Sequence, residues 1–345
     1  MSLRHETSIA AVPVAADHAK MPPMPQHPMP PHLDPVPVLE RLRRCPVHAA
    51  TPLRRVTLEG VPLCIKDERA RMGLGSFKAL GGAYAALRMI EEAGRPDLTF
   101  VTASAGNHGL SVAAGARAFG ARARIVIADT VPGAFAARLR AEGAEVVRSG
   151  ADYAASVAVA IADAEATGAI HLADGSWPGY TEPPRLVMEG YTVLAEEMRD
   201  AFAASGGWPA VVYLQAGVGG LAAAVAQRIR AAWAVQPRIV VVEPDAAPCL
   251  AASIAAGAVT TVAGPVSAMG RLDCKTPSML ALAILRETAD AYATVSETQA
   301  SGAVDLLAAA GLRTTPSGAA GVAAWRADGA PEGALAILSE GPEDG

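Results

Sequence analysis

The chain has 345 residues, enough for two lobes or one large α/β domain. Hydrophobic residues make up 51% and aromatics only 4%, a balance that suits close-packed helices and short buried strands. A net charge of −5 with a pI near 5.8 lacks the basic signature of polyanion binding, so nucleic acid is excluded as an expected partner.

Residues 1–37 are rich in proline and methionine and read as a flexible, polyproline-like arm. The opening Met1-Ser2-Leu3-Arg4-His5-Glu6 leads into too interrupted an apolar stretch for a secretory signal. No apolar run in the chain is long enough to cross a bilayer. A cytoplasmic protein without a membrane partner is the expectation. Regular structure is expected from Val38, and Leu63–Lys66 reads as a short strand.

Next comes Gly73-Leu-Gly-Ser-Phe-Lys-Ala-Leu-Gly-Gly82, a glycine-rich turn opening a helix. Ser76 is suited to cap it. Leu80, Ala83, Tyr84, Leu87 and Ile90 then recur at helical spacing until Gly94 and Pro96 stop the run. Lys78 therefore lies in the first turn, at the positive end of the helix dipole. There the dipole and any burial lower its pKa, and a neutral amine is a nucleophile. A solvated lysine at a helix start is the plain alternative.

From there strands and helices alternate. Expected strands are Leu98–Ala103, Ala123–Ala128, Glu145–Arg148, Ile170–Ala173, Ala210–Leu214, Arg238–Glu243 and Ala334–Leu338, with helices between them. Such alternation means two open, mostly parallel twisted sheets with helices on both faces. Ligands of such sheets bind where strand ends meet helix N-termini. Three loops fall at such places.

Ser104-Ala105-Gly106-Asn107-His108 offers backbone N–H groups and an amide for a carboxylate or a cofactor oxygen, and helix capping is its structural alternative. Gln215-Ala-Gly-Val-Gly-Gly220 exposes bare backbone at a helix start, which suits phosphate; Gly217, Val218, Gly219 and Gly220 are the candidates. Gly217, Gly219 and Ala222 also fit G-x-G-x-x-A, with Glu243 placed as a ribose-binding acid, so an NAD(P)-dependent oxidoreductase is the rival from this region alone. In Thr314-Thr-Pro-Ser-Gly318 the Ser317 hydroxyl is either an N-cap or the partner of a heterocyclic nitrogen. Asp174, in a loop with Trp177 and Tyr180, is the acidic candidate. Four cysteines (Cys45, Cys64, Cys249, Cys274) make no C-x-x-C pair, and the histidines include no H-E-x-x-H, so no metal is expected. Cys249 and Cys274 are able to pair with each other, though free thiols are the default in a cytoplasmic protein.

Together these pieces resemble the fold-type II (tryptophan synthase β-like) pyridoxal-phosphate enzymes. The carriers are S-F-K, S-A-G-N-H-G, G-V-G-G and P-S-G-A, in that family's order. Within the group the chain is most similar to the diaminopropionate ammonia-lyases, through Trp177-Pro-Gly-Tyr-Thr181, Glu189-Gly-Tyr191, Val242-Glu-Pro-Asp245 and Ser339-Glu-Gly341. The resemblance implies a large cofactor domain (38–84 and 175–345), a small substrate domain (85–174), an active site between the lobes and a homodimer. It implies that Lys78 carries pyridoxal 5'-phosphate as a Schiff base and moves the Cα proton. Asn107 would meet the ring oxygen, Gly217–Gly220 the phosphate, Ser317 the ring nitrogen, and Ser104–His108 the substrate carboxylate. Asp174 matches the acidic residue that assists proton transfer, and Cys249 and Cys274 match cysteines that can be bridged. The implied reaction is α,β-elimination on a small 2-amino acid, 2,3-diaminopropionate to pyruvate and ammonia, with L-serine or L-threonine dehydration as the alternative. Two positions depart from the lyase pattern. Ala105 stands where the lyases carry an aspartate that acts on the D-substrate, and Thr315 stands where a glutamate is usual.

Overall fold

The computed structural model describes residues 12–13, 29–45 and 47–342. Most of the proline-rich arm, residues 1–11 and 14–28, lies outside the described residues. In chain order the first elements are β1 (Val12–Pro13), α1 (Pro35–Leu42), β2 (Leu53–Leu58), β3 (Val61–Asp67), α2 (Lys78–Ala93) and β4 (Thr99–Ala103). There follow α3 (Asn107–Ala118), β5 (Arg122–Ile127), α4 (Gly133–Ala141), β6 (Glu145–Arg148), α5 (Tyr153–Thr167), β7 (Ile170–His171) and α6 (Glu182–Ser205). The rest comprises β8 (Val211–Gln215), α7 (Gly220–Ala232), β9 (Arg238–Pro244), α8 (Cys249–Ala256), α9 (Met279–Thr288), β10 (Ala291–Val295), α10 (Glu297–Ala309), α11 (Pro316–Ala327) and β11 (Ala334–Leu338). The first helix begins at Pro35, earlier than the expected Val38. The Asp34 carboxylate accepts the Val36 N–H, and prolines are tolerated in a first turn because no N–H is needed there.

The chain forms two compact units, one of Met1–His32, Ala50–Ala70 and Leu194–Gly345, the other of Leu33–Ala49 and Arg71–Val193. The first holds a seven-stranded sheet in the order β1-β10-β9-β8-β11-β3-β2. Its five central strands are parallel, and β1 and β2 close the edges antiparallel. The central strands are buried on both faces, so β8 and β11 read as near-continuous apolar runs. Helices cover both faces, and Trp325 of α11, fully buried, belongs to the core with Tyr213, Val240 and Ala336. The second unit holds four parallel strands in the order β6-β5-β4-β7. Its core includes Val101, Ala103, Val126 and Ala160.

Strand order decides where ligands bind. In the second unit the chain walks from β4 to β5 to β6 in one direction and then returns to place β7 on the other side of β4. The loops after β4 and β7, which carry Ser104–Gly106 and Asp174, therefore leave one reversal point. In the first unit the order reverses between β8 and β11, so the loop after β8 carries Gly217–Gly220 to the corresponding place.

Candidate active site

In the second unit Gly75, at φ +79°, turns the chain into α2 with a backbone that L side chains rarely adopt. The helix starts at Lys78 itself with Phe77 as N-cap, one residue later than a Ser76 cap implies. Ser76 still contributes, since its Oγ accepts the Lys78 N–H at 3.3 Å. Helix α2 packs against α3 and α6 through glycines. A Cβ on Gly82 would fall 2.0 Å from Ser111 Oγ, and one on Gly115 2.7 Å from Ala83 Cα. A Cβ on Gly190 would lie 2.7 Å from the Leu80 carbonyl, and one on Gly81 2.4 Å from the Tyr191 ring. Backbone-to-backbone approach of this kind fixes the lysine-bearing turn against its neighbours.

The Lys78 ammonium is hydrogen-bonded to Asp174 Oδ2. It lies 5.4 Å from the Phe77 ring centroid and 5.9 Å from that of Tyr191, within cation–π range. Burial opposes ionisation of Asp174, but the Lys78 charge and His108 outweigh it and hold the carboxyl well below the usual range. Asp174 is placed by its loop: the Tyr180 hydroxyl donates to His171 O at 2.7 Å and accepts the Ala173 N–H at 3.0 Å. Trp177 stacks on the Tyr180 ring at 4.3 Å. Burial, with His108 nearby, pushes His171 down to about 4, so this wall of the loop is neutral at ordinary pH.

Asn107 and His108 open α3, for which Gly106 is the N-cap, so Asn107 is not the capping residue. Ser104 Oγ accepts the Gly106 N–H at 3.3 Å, and a Cβ on Gly109 would meet Ser104 O at 2.2 Å, which keeps the loop tight on the helix start. His108 Nε2 is 2.9 Å from Leu172 O and therefore carries the proton. Burial holds its pKa down despite Asp174. Lys78, Asp174 and His108 thus share one electrostatic centre, at the strand ends that bring Ser104–Gly106 there.

In the first unit the loop after β8 is clamped from one side. A Cβ on Gly217 would fall 2.9 Å from Cys274 Sγ and 3.1 Å from Arg271 O, and one on Gly219 3.1 Å from Ala281 Cβ. Gly219, at φ +100°, is the N-cap of the 13-residue α7. The helix contributes its dipole and unpaired N–H groups, and the glycines contribute no side chains, which fits a phosphate. Gln215 Nε2 spans the order reversal, donating to Ile337 O at 2.8 Å and to Gly318 O at 3.3 Å. It ties the loop's strand to the start of α11.

Ser317 is the second residue of α11, and the N-cap is Thr315, whose Oγ1 accepts the Gly318 N–H and donates to Glu340. The capping alternative for Ser317 thus falls away. Its Oγ accepts the Arg271 N–H at 3.1 Å, which leaves the hydroxyl proton free to be donated. A cavity of about 360 Å³ adjoins it, lined in part by Arg271, Thr314, Thr315 and Ser317. Glu243, the ribose-binding candidate, is buried and accepts the Leu250 and Ala251 N–H groups of α8 at 2.7 and 2.8 Å. Both its oxygens are engaged by a helix start, which removes the basis of the nicotinamide reading. Cys249 and Cys274 are not bridged by a disulfide, and Cys249 Sγ lies 3.7 Å from Gly217 O. Among the described residues no group of His, Cys, Asp or Glu is gathered to hold a metal, and no helix is long and apolar enough to cross a membrane.

Residues 44–340 match the family model described as "Pyridoxal-phosphate dependent enzyme". The chain belongs to this family. Its members include relatives of known activity. The diaminopropionate ammonia-lyase of Escherichia coli (strain K12) is 32% identical over 269 residues, covering 73% of this chain and 66% of the lyase. The match thus spans just under two thirds of that relative's length. A human serine dehydratase-like protein is 29% identical, with 79% of each chain covered. The crystal structure of the E. coli lyase in complex with an aminoacrylate-PLP azomethine reaction intermediate superposes with a TM-score of 0.80 at 26% identity, over 90% of this chain and 89% of that one. The two sheets, mostly parallel and covered on both faces, are therefore those of a fold-type II pyridoxal-phosphate enzyme.

Four residues were given no site role by sequence reasoning, although Tyr191, Gln215 and Glu340 lie in stretches quoted above. Tyr191, Gln215, Arg271 and Glu340 each orient a candidate residue or its loop. One signal for Tyr191 was present: glycines in two helices, the pair Gly81-Gly82 and the single Gly190, mark a close crossing, and Tyr191 adjoins the second.

Proposed function

We propose that the protein is a pyridoxal-phosphate-dependent ammonia-lyase acting by α,β-elimination on a small 2-amino acid, with 2,3-diaminopropionate as first substrate. The observation that carries this reading is the Lys78–Asp174 pair, an amine and a depressed carboxyl in contact at the head of a helix. The family membership and the lyase relatives support it.

In this reading Lys78 anchors the cofactor, Gly217–Gly220 hold its phosphate, and Asn107 donates to its ring oxygen. The Ser317 hydroxyl, already accepting from Arg271, gives its own proton to the ring nitrogen and so meets it as a neutral partner. The bound cofactor supplies the sink for the electron pair left at Cα. Once substrate has taken its place on the cofactor, Lys78 Nζ removes the Cα proton. Asp174 Oδ2, hydrogen-bonded to that nitrogen, relays a proton to the amine leaving Cβ. Backbone N–H groups of Ser104, Ala105, Gly106 and Asn107 hold the substrate carboxylate, with His108 behind them. Water completes the conversion to pyruvate and two ammonia molecules.

Ala105 favours a second reading, L-serine or L-threonine dehydration, because it removes the acid the lyases place there for the D-substrate. A cytoplasmic homodimer belongs to the same proposal, and sedimentation of the purified protein tests the dimer. The decisive experiment is spectroscopic. Purified protein shows a visible Schiff-base band that Lys78→Ala abolishes, and it releases pyruvate or 2-ketobutyrate from one of L-diaminopropionate, L-serine, L-threonine and their D-forms. A colourless preparation that gains no band with added pyridoxal phosphate sinks the reading.

A further inference from the structure

Tyr191 is 1% exposed, yet its hydroxyl makes no well-aligned hydrogen bond, the Lys78 amine being the side chain within hydrogen-bonding range of it. A buried hydroxyl without a well-aligned bond is costly, and natural proteins keep such groups for a reason. Its surroundings identify the reason. The ring stands edge-on to Phe77 at 4.9 Å, and the Lys78 nitrogen lies 5.9 Å from its centroid. Burial keeps the phenol protonated, and the charged groups acting on it are Lys78, which also comes within hydrogen-bonding range, and Asp174. Two glycines make room for it: the Gly81 Cα hydrogen abuts the ring, and Gly190 lets α6 approach the Leu80 carbonyl. Two of the helix contacts described above therefore serve to seat one aromatic side chain beside the first turn of α2.

We infer that Tyr191 is a positioning residue that gives the Lys78 amine its second resting place. In the structure the amine rests on Asp174. When it is freed from the cofactor it carries or loses a proton, and it needs a partner that serves both states. A protonated phenol does so, accepting from the ammonium and donating to the neutral amine. The Phe77 and Tyr191 rings limit where the nitrogen can travel between the two. This rests on Lys78 being the cofactor lysine, as proposed above.

The test compares wild type with Tyr191→Phe, which keeps the ring and its packing, and with Tyr84→Phe. The latter removes another buried phenol of the same unit, one hydrogen-bonded to Glu189 at 2.9 Å. Cofactor-free protein is mixed with pyridoxal phosphate, and the growth of the visible band is followed against pH. Tyr191→Phe forms the band about tenfold more slowly, with a displaced pH midpoint, as the loss of one hydrogen bond to a charged group predicts. Tyr84→Phe matches wild type. A Tyr191→Phe rate and midpoint equal to wild type overturns the inference while leaving the lyase reading intact. So does an equal slowing in Tyr84→Phe, which would mark general loosening. Failure of the wild type to form a band at all removes the lyase reading, and this inference with it.

Discussion

Gly81→Ala sets two forces of known sign against each other. In an exposed helix the change is favourable by about 1 kcal/mol, because alanine loses less backbone entropy. Here the new Cβ would fall 2.4 Å from Tyr191 Cε1 and 2.7 Å from the Val187 carbonyl oxygen. Ordinary contact begins near 3.4 Å, so the two helices have to separate by about 0.7 Å (3.4 minus 2.7) or the Tyr191 ring has to leave its seat. One obstacle is backbone, which cannot rotate away. Overpacking of this kind costs about 1–3 kcal/mol, and the rigid carbonyl places it at the upper end. The net expectation is a loss of about 1–2 kcal/mol, which lowers the melting temperature by about 1–3 °C in a chain of this size. Differential scanning calorimetry of the cofactor-free protein reads it directly. A Gly81→Ala protein that melts at or above wild type, as propensity alone dictates, refutes the claim that this helix contact is closed.

The remaining predictions concern charge and backbone. Asp174→Asn keeps the visible band but lowers turnover about 10²–10³-fold, the usual worth of a positioned proton carrier; steady-state keto-acid release checks it, and a loss under threefold removes Asp174 from the relay. Burial first, against the pull of the Leu250 and Ala251 amides, lifts Glu243 to about 7. Its folded pKa exceeds the ordinary 4.5, so the native state holds a proton that the unfolded chain releases, and stability drains away as pH rises from about 4.5 to 7. The shift corresponds to about 3 kcal/mol. Glu243→Gln forfeits one amide contact and carries no titrating group, so urea unfolding at pH 5 and pH 8 shows the variant gaining on wild type by about that amount as pH rises; parallel pH profiles count against it. Gly219→Ala forces a Cβ into φ +100° and against Leu250 and Ala281. Strain of about 1–3 kcal/mol at the helix start weakens cofactor retention about tenfold or more, as measured by fluorescence titration.

The parts of the fold legible in the sequence are those with strong local contrast. Val211–Gln215 followed by bare glycines and an alanine-rich helix is a strand, a turn and a helix on composition alone, and it lies as expected within a residue or so. Three strands were not foreseen: the two-residue β1, which falls inside the stretch read as a flexible arm, β2 and β10. β2 is an edge strand with two exposed arginines, Arg54 and Arg55, so its apolar positions do not stand out. β10 is five residues with two alanines between helices, and its burial comes from its place beside β9, which no local pattern encodes. Of the candidate site, the turn into α2, the β8 loop and the start of α11 were legible because turn chemistry is local, although the caps are Phe77 and Thr315 rather than Ser76 and Ser317. The contact of Asp174 with Lys78 was not: it joins residues 96 apart, and only the strand order brings them together.

That return of β7 to the side of β4 has a consequence for biosynthesis. As the chain leaves the ribosome, the lysine turn, α2 and three of the four strands of its sheet emerge before β7. Until the segment Ile170–Tyr180 has been made and docked, Lys78 has neither its carboxylate nor the strand end that carries it. A nascent chain halted before that point exposes an uncompensated amine and an open sheet edge. The lysine's ion pair is thus withheld until roughly half of the polypeptide has been synthesised, and β7, which brings it, is the last strand of that four-stranded sheet to pair.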